Sequence, residues 1–274
     1  MELKGIDVSK WNGTIDWKKV AASGVQFAMV RAGTGKAKGG MTPDPRLLDN
    51  LYGARENGIC VGVYLYSYAK SVDAAIMEAR ALVDMLDPYL DLITFPVAYD
   101  LEDDSQKSLG RDVCGQMVQS FCSEVRNAGF VPVLYTNPNW LSNYVLAPDD
   151  VELWIARWYT SWAGRDCAMW QYTDKGTVPG ISGNVDMNIS YKDFSNLKGD
   201  TTMKNTEWSD AINALVEASR MDSPDVWREV CEGKRTASAV QVQALLSKWA
   251  EDRKRYDNLA DGIREILEKM EAAQ

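Results

Sequence analysis

Residues 59–104 read ICVGVYLYSYAKSVDAAIMEARALVDMLDPYLDLITFPVAYDLEDD. Two runs rich in Val, Ile, Tyr and Phe, Ile59–Tyr68 and Phe95–Leu101, flank a helical pattern over Val72–Met85. Strand, helix and strand in that order imply a crossover between parallel strands.

The rhythm extends in both directions. Strand patterns also cover Lys4–Val8, Gln26–Ala32, Val131–Thr136, Leu153–Arg157, Cys167–Tyr172 and Val185–Ile189. Helical patterns cover Asp16–Ser23, Arg46–Asn57 and Arg111–Ala128, and several stop before Gly24, Gly58 or Gly129, where a helix end favours positive φ. The gap between Arg157 and Cys167 is too short for a regular helix, and the run from Trp170 to Val185 is rich in Gly and Pro. The expected fold is therefore α/β: a (β/α)5(β)3 TIM-like barrel over residues 1–197, followed by a small all-α C-terminal domain. Active sites in such barrels lie at the C-terminal ends of the strands.

Residues 198–206, KGDTTMKNT, read as a polar linker. Residues 207–274 read as helical: Glu207–Ser219, a second helix opening at SPDVW, and a long one over Ala237–Glu271. In the long helix Val242, Leu245, Trp249, Asp252, Tyr256, Leu259, Ile263, Ile266 and Met270 follow a 3–4 spacing, a heptad seam with one polar position. The seam serves either a homo-oligomer or the two shorter helices of its own tail.

The chain has 274 residues, 46% hydrophobic and 25% charged, which suits a packed core. Its formal net charge is -9, and neither the barrel nor the tail is basic, which argues against nucleic acid as a partner. Ten Trp and twelve Tyr suit either core packing or stacking on sugar faces. No His occurs, so Ser-His-Asp and Cys-His catalysis are excluded and acid–base work falls to Asp, Glu, Lys or Tyr. The five Cys form no CxxC motif and read as reduced thiols. No metal or cofactor is expected. No run of 18 apolar residues exists, so no membrane span is expected. MELKGIDVSKWNG lacks the pattern of a signal peptide, so synthesis in the cytoplasm is expected, with some other agent releasing the protein if it acts outside.

The chemistry concentrates in FPVAYDLEDD, residues 95–104. Side chains two apart share one face of a strand, so Asp100 and Glu102 project together at its C-terminal end, with Ala98 on their face and Tyr99 and Leu101 on the other. Two close carboxyls can diverge in pKa, one keeping a proton while the other stays ionised. Glycosidic cleavage needs that division between an acid and a base or stabiliser. GIDVSKWNG brings Asp7 to the same rim, and NVDMN on the last strand brings Asp186. Four carboxylates then share one mouth, an arrangement too repulsive to be idle. Tyr64, Tyr66 and Tyr68 alternate on one strand face; Tyr135 ends a strand, Trp158 follows one and Gln171 lies within one. Each of these could line the mouth or fill the core. Two other readings fit the acids: a metal-dependent hydrolase and a glycan-binding barrel without catalysis. A DxDxE chitinase-like site would want an acid where Ala98 stands.

GIDVSKWNG, YDLED, LYTNPNW, LWIARW and MWQYTDKGTVPGISGNVDMN, in this order, resemble the glycoside hydrolase family 25 muramidases, the Chalaropsis-type lysozymes. The resemblance spans about residues 3–194 and implies cleavage of the β-1,4 bond between N-acetylmuramic acid and N-acetylglucosamine in bacterial peptidoglycan. It implies Glu102 as general acid, and Asp100 as its partner, attacking the sugar or positioning the substrate acetamido group. It implies Asp7 and Asp186 as flanking acids, with Tyr64 and Tyr135 near the acetamido group. Trp158 stands where many members carry Tyr. Phage members are endolysins that reach the wall through holin lesions, and the N-terminus leans that way. The tail beyond residue 207 resembles, loosely, helical modules appended to some phage and clostridial lysins, implying wall binding or oligomerisation.

Overall fold

The computed structural model describes residues 2–158 and 167–194. The expected linker at 198–206 and the helical domain at 207–274, with its heptad seam, lie outside the described residues.

Eight strands close into a barrel. Their order is β1 (Leu3–Val8), β9 (Val185–Ser190), β8 (Met169–Gly176), β7 (Glu152–Ala156), β6 (Pro132–Thr136), β5 (Val97–Asp100), β4 (Cys60–Tyr66) and β2 (Phe27–Gly35), and β2 pairs back with β1. A short strand, β3 (Met41–Pro43), folds back on the end of β2 as an antiparallel flap that the sequence reading lacks. Helices α1 (Trp17–Ala22), α2 (Leu47–Glu56), α3 (Val72–Leu86), α4 (Arg111–Asn127) and α5 (Pro138–Asn143) follow the first five barrel strands, and β7 to β9 follow without described helices. Gly24, Gly58 and Gly129 take φ of 90°, 77° and 87° just past α1, α2 and α4.

The barrel is not parallel throughout: β9 runs antiparallel to both β1 and β8. The link from β8 to β9 is too short for a crossover, so the chain turns back as a hairpin. That reversal puts the start of β9, not its end, at the rim where the other strands finish. Asp186 reaches the mouth because it is the second residue of a reversed strand.

Strand alternation separates two cores. Outward side chains such as Val63, Leu65, Val97, Tyr99 and Leu134 pack under the helices with Ala79, Leu82, Val118 and Phe121. The inward set, including Phe27, Met29, Phe95, Ala98, Val133, Trp154 and Phe194, fills the barrel floor. Large and small residues interlock there. A Cβ on Gly5 would fall 2.3 Å from the ring of its register neighbour Phe27, which stacks on Phe95 at 4.6 Å. The floor is thus plugged, and the polar inward residues collect above it. Among the described residues no helix is long and apolar enough to cross a membrane.

Candidate active site

The mouth of the barrel encloses a cavity of about 250 Å³. Nine of the ten side chains singled out from the sequence line it: Asp7, Tyr64, Tyr66, Asp100, Glu102, Tyr135, Trp158, Gln171 and Asp186. Arg31, Trp154 and Asp174 line it as well. Tyr68, which alternates with Tyr64 and Tyr66, lies beyond the end of β4 and packs its ring 5.1 Å from that of Tyr66.

Asp100 ends β5, and Glu102 stands two residues further on, on the same side as inward Ala98. The backbone between them is clamped to β6: Leu101 donates its N–H to Tyr135 O at 3.0 Å, and the Thr136 hydroxyl donates to Leu101 O at 2.8 Å. Asp100 is buried, and its Oδ1 has no hydrogen-bond partner among the described residues. Burial first, then repulsion from Glu102 and Asp7, hold the Asp100 carboxyl well above the usual range, with Arg31 opposing. Burial, then the charges of Asp186 and Asp103, raise Glu102. Two such groups titrate as a pair, and the pair keeps a proton to higher pH than isolated carboxyls would.

The second acid pair is Asp7 and Asp186, register partners on β1 and β9. Burial raises both, and Asp186 is pushed up to about 8 by burial and by Asp7. Hydrogen bonds from Asn188 and Gln171 oppose the rise at Asp7. The pair thus keeps a proton to higher pH than isolated carboxyls would.

A relay of side chains fixes Asp7. Gln171 Nε2 and Asn188 Nδ2 both donate to Asp7 Oδ2, at 2.9 and 2.8 Å. Trp154 Nε1 donates to Asn188 Oδ1 at 2.8 Å, while Tyr135 Oη and Trp158 Nε1 each donate to Gln171 Oε1 at 3.1 Å. An indole N–H can only donate, so each amide must turn its oxygen to the indole and its nitrogen to Asp7. Burial, reinforced by the neighbouring carboxylates, raises the Tyr64 and Tyr135 hydroxyls well above their usual value, so both remain donors. Arg31 is the cation of the cavity wall. Asp44 grips it, accepting from Nε at 2.7 Å and pairing with the guanidinium at 2.6 Å. Among the described residues no group of three or more His, Cys, Asp or Glu is arranged to hold a metal ion.

Sequence reasoning missed Arg31, Trp154, Asp174 and Asn188. For three of them a signal existed. Arg31 shares the parity of Phe27 and Met29, Trp154 that of Trp158, and Asn188 that of Asp186.

A carboxyl pair that retains a proton at a barrel mouth, steadied by donors aimed at a second carboxylate, is the equipment of a glycoside hydrolase. Residues 6–181 match the family described as glycosyl hydrolases family 25, and the chain belongs to that family. It is similar to the uncharacterized protein YegX of Escherichia coli O157:H7, 31% identical over 196 residues, 68% of this chain and 69% of that protein. It is 29% identical over 189 residues to the autolytic lysozyme of Clostridium acetobutylicum, a match taking in 68% of this chain and only 55% of that protein. Its fold is similar to the catalytic domain of endolysin ply40 from bacteriophage P40 of Listeria monocytogenes, with TM-score 0.58 and 26% identity over 73% of this chain and 98% of that one.

Proposed function

We propose that the pocket hydrolyses the β-1,4 bond between N-acetylmuramic acid and N-acetylglucosamine in bacterial peptidoglycan, with Glu102 as general acid and Asp100 as its partner. The observation carrying this reading is the Asp100–Glu102 pair, held side by side in the mouth with both carboxyls raised, Asp100 by burial and the charges of Glu102 and Asp7, Glu102 by burial and the charges of Asp186 and Asp103. Similarity to an autolytic lysozyme supports the bond assignment.

Glu102 gives its proton to the glycosidic oxygen as the bond from that oxygen to C1 breaks, and the leaving sugar departs as an alcohol. Positive charge grows on C1 and the ring oxygen. Asp100 answers it, by bonding to C1 or by steering the substrate's acetamido oxygen onto C1. Water then adds its oxygen to C1, displacing the Asp100 carboxylate or the acetamido oxygen bonded there, and gives a proton to Glu102. Asp7 and Asp186 bind and tune from the opposite wall. The hydroxyls of Tyr64, Tyr66 and Tyr135 and the amide of Gln171 bind sugar polar groups, and the half-exposed Trp158 indole offers a stacking face.

We infer, further, a helical wall-binding or oligomerising domain at 207–274, joined by a linker at 198–206, and a host-lysis endolysin role after holin release, which the likeness to ply40 supports. Digestion of purified peptidoglycan, with mass spectrometry of the new reducing ends, tests the bond assignment. Reducing N-acetylmuramic acid is expected; reducing N-acetylglucosamine or free peptide overturns it.

A further inference from the structure

Another buried carboxyl lies behind the mouth, on the outer side of β4. Glu78 falls within the buried stripe of α3, among Ala74, Ala75, Ala79 and Leu82, and is itself fully buried. An acid at such a position must be satisfied by donors or it destabilises the fold. Its donors come from the loop that follows β4. Ser67 Oγ donates to Glu78 Oε2 at 2.7 Å, and Tyr68 N–H to Oε1 at 3.1 Å. The Ala69 N–H and the Tyr99 hydroxyl add to this cradle. Gly35, near the end of β2, leaves the space the carboxyl fills, since a Cβ there would meet Glu78 Oε1 at 1.8 Å.

The cradle reaches the acid loop. Gln106, fully buried in the 3-10 turn Asp104–Leu109, donates its side-chain N–H groups to Ser67 Oγ at 3.2 Å and Ala69 O at 3.0 Å. Ser67 N–H donates to Asp100 O at 2.9 Å. Tyr66 Oη donates to Asp103 Oδ2 at 3.4 Å, and Lys70 Nζ bonds Ser105 Oγ. Glu102 therefore sits in a stretch whose far end is tied, through Gln106 and Ser67, to one carboxylate on α3.

We propose that Glu78 is a positioning residue: it anchors the 67–69 loop so that Tyr66 and Glu102 hold their places against the scissile bond. This rests on Glu102 being the general acid. Burial raises Glu78 to about 7 despite its donors, so its acceptor geometry matters more here than a full charge. A glutamine can keep part of that geometry, Oε1 accepting from Tyr68 N–H while the Ser67 hydroxyl turns toward Tyr99 Oη.

The test compares full-length wild type, Glu78→Ala, Glu78→Gln, Gly35→Ala and Glu102→Gln, well below their melting temperatures. Two substrates are used: peptidoglycan, and an aryl glycoside of the same saccharide, whose leaving group needs little protonation. Expected for Glu78→Ala is a kcat on peptidoglycan about 10- to 100-fold lower at nearly unchanged KM, the cost of a displaced acid. Gly35→Ala should behave likewise, and Glu78→Gln should restore kcat to within a few fold. The deficits of Glu78→Ala and Glu102→Gln should both shrink on the aryl glycoside. If the Glu102→Gln deficit shrinks and the Glu78→Ala deficit does not, or if Glu78→Ala melts lower with kcat intact, the positioning role is overturned and the acid assignment stands. If the Glu102→Gln deficit is as large on the aryl glycoside, the acid assignment itself falls.

Discussion

Asp7 and Asp186 face each other as register partners on antiparallel strands, and burial holds both carboxyls above their usual range. A carboxyl raised from 3.8 to about 8 makes the folded state bind more protons than the unfolded chain between those two values. Stability from this group is therefore lost as pH rises through that window, the reverse of a salt-bridged aspartate. Asp186→Asn keeps a hydrogen-bond donor toward Asp7 and removes the titration. Thermal melts from pH 5 to 8 should fall less steeply for the variant than for wild type; parallel slopes would exclude Asp186 as the source.

Glu102→Gln should lower kcat on peptidoglycan by about 10²- to 10⁴-fold, the usual worth of general acid catalysis, with little change in folding. In wild type, kcat/KM should fall as pH rises through the raised pKa of Glu102, because the proton donor is lost there. Steady-state kinetics across pH checks both, and a variant retaining most of its activity would remove Glu102 from the role.

Asn188→Ala should cost about 1–3 kcal/mol of stability, because it strands the buried Trp154 indole N–H and takes one donor from Asp7. Urea denaturation measures this. The same variant should lose activity, because the Asp7 carboxylate loses one of the two amides that orient it. A change in stability with activity intact would separate Asp7 from turnover.

Gly5→Ala should destabilise by about 1–3 kcal/mol through overpacking against Phe27. Adding Phe27→Leu should recover part of that loss, since the smaller side chain vacates the contested space. Strict additivity of the two changes in chemical denaturation would show that the clash is not the cause.

Much of the barrel was legible in the chain because strand and helix periods are local properties. Alternation alone put Ala98, Asp100 and Glu102 on one face, and the structure keeps them there. Alternation also grouped Tyr68 with Tyr64 and Tyr66, yet the strand stops at Tyr66 and Tyr68 leaves the wall. The β3 flap is too short to show a period of its own. Arg31 and Asn188 were missed because their partners, Asp44 and Asp7, come from other strands and loops and no local pattern pairs them. Glu78 was hidden similarly, as an acid in a helix whose donors lie on β5 and in the loop after β4.

The sequence by itself determined which segments form strands and helices, which side chains share a face, and that two acids end one strand. These follow from backbone geometry repeating every two or 3.6 residues. Tertiary structure alone decided that β9 runs backward, that Asp186 meets Asp7, and that burial raises the pKa values of all four acids. Those outcomes depend on which distant strands become neighbours and how much water their packing excludes, and no local pattern encodes either.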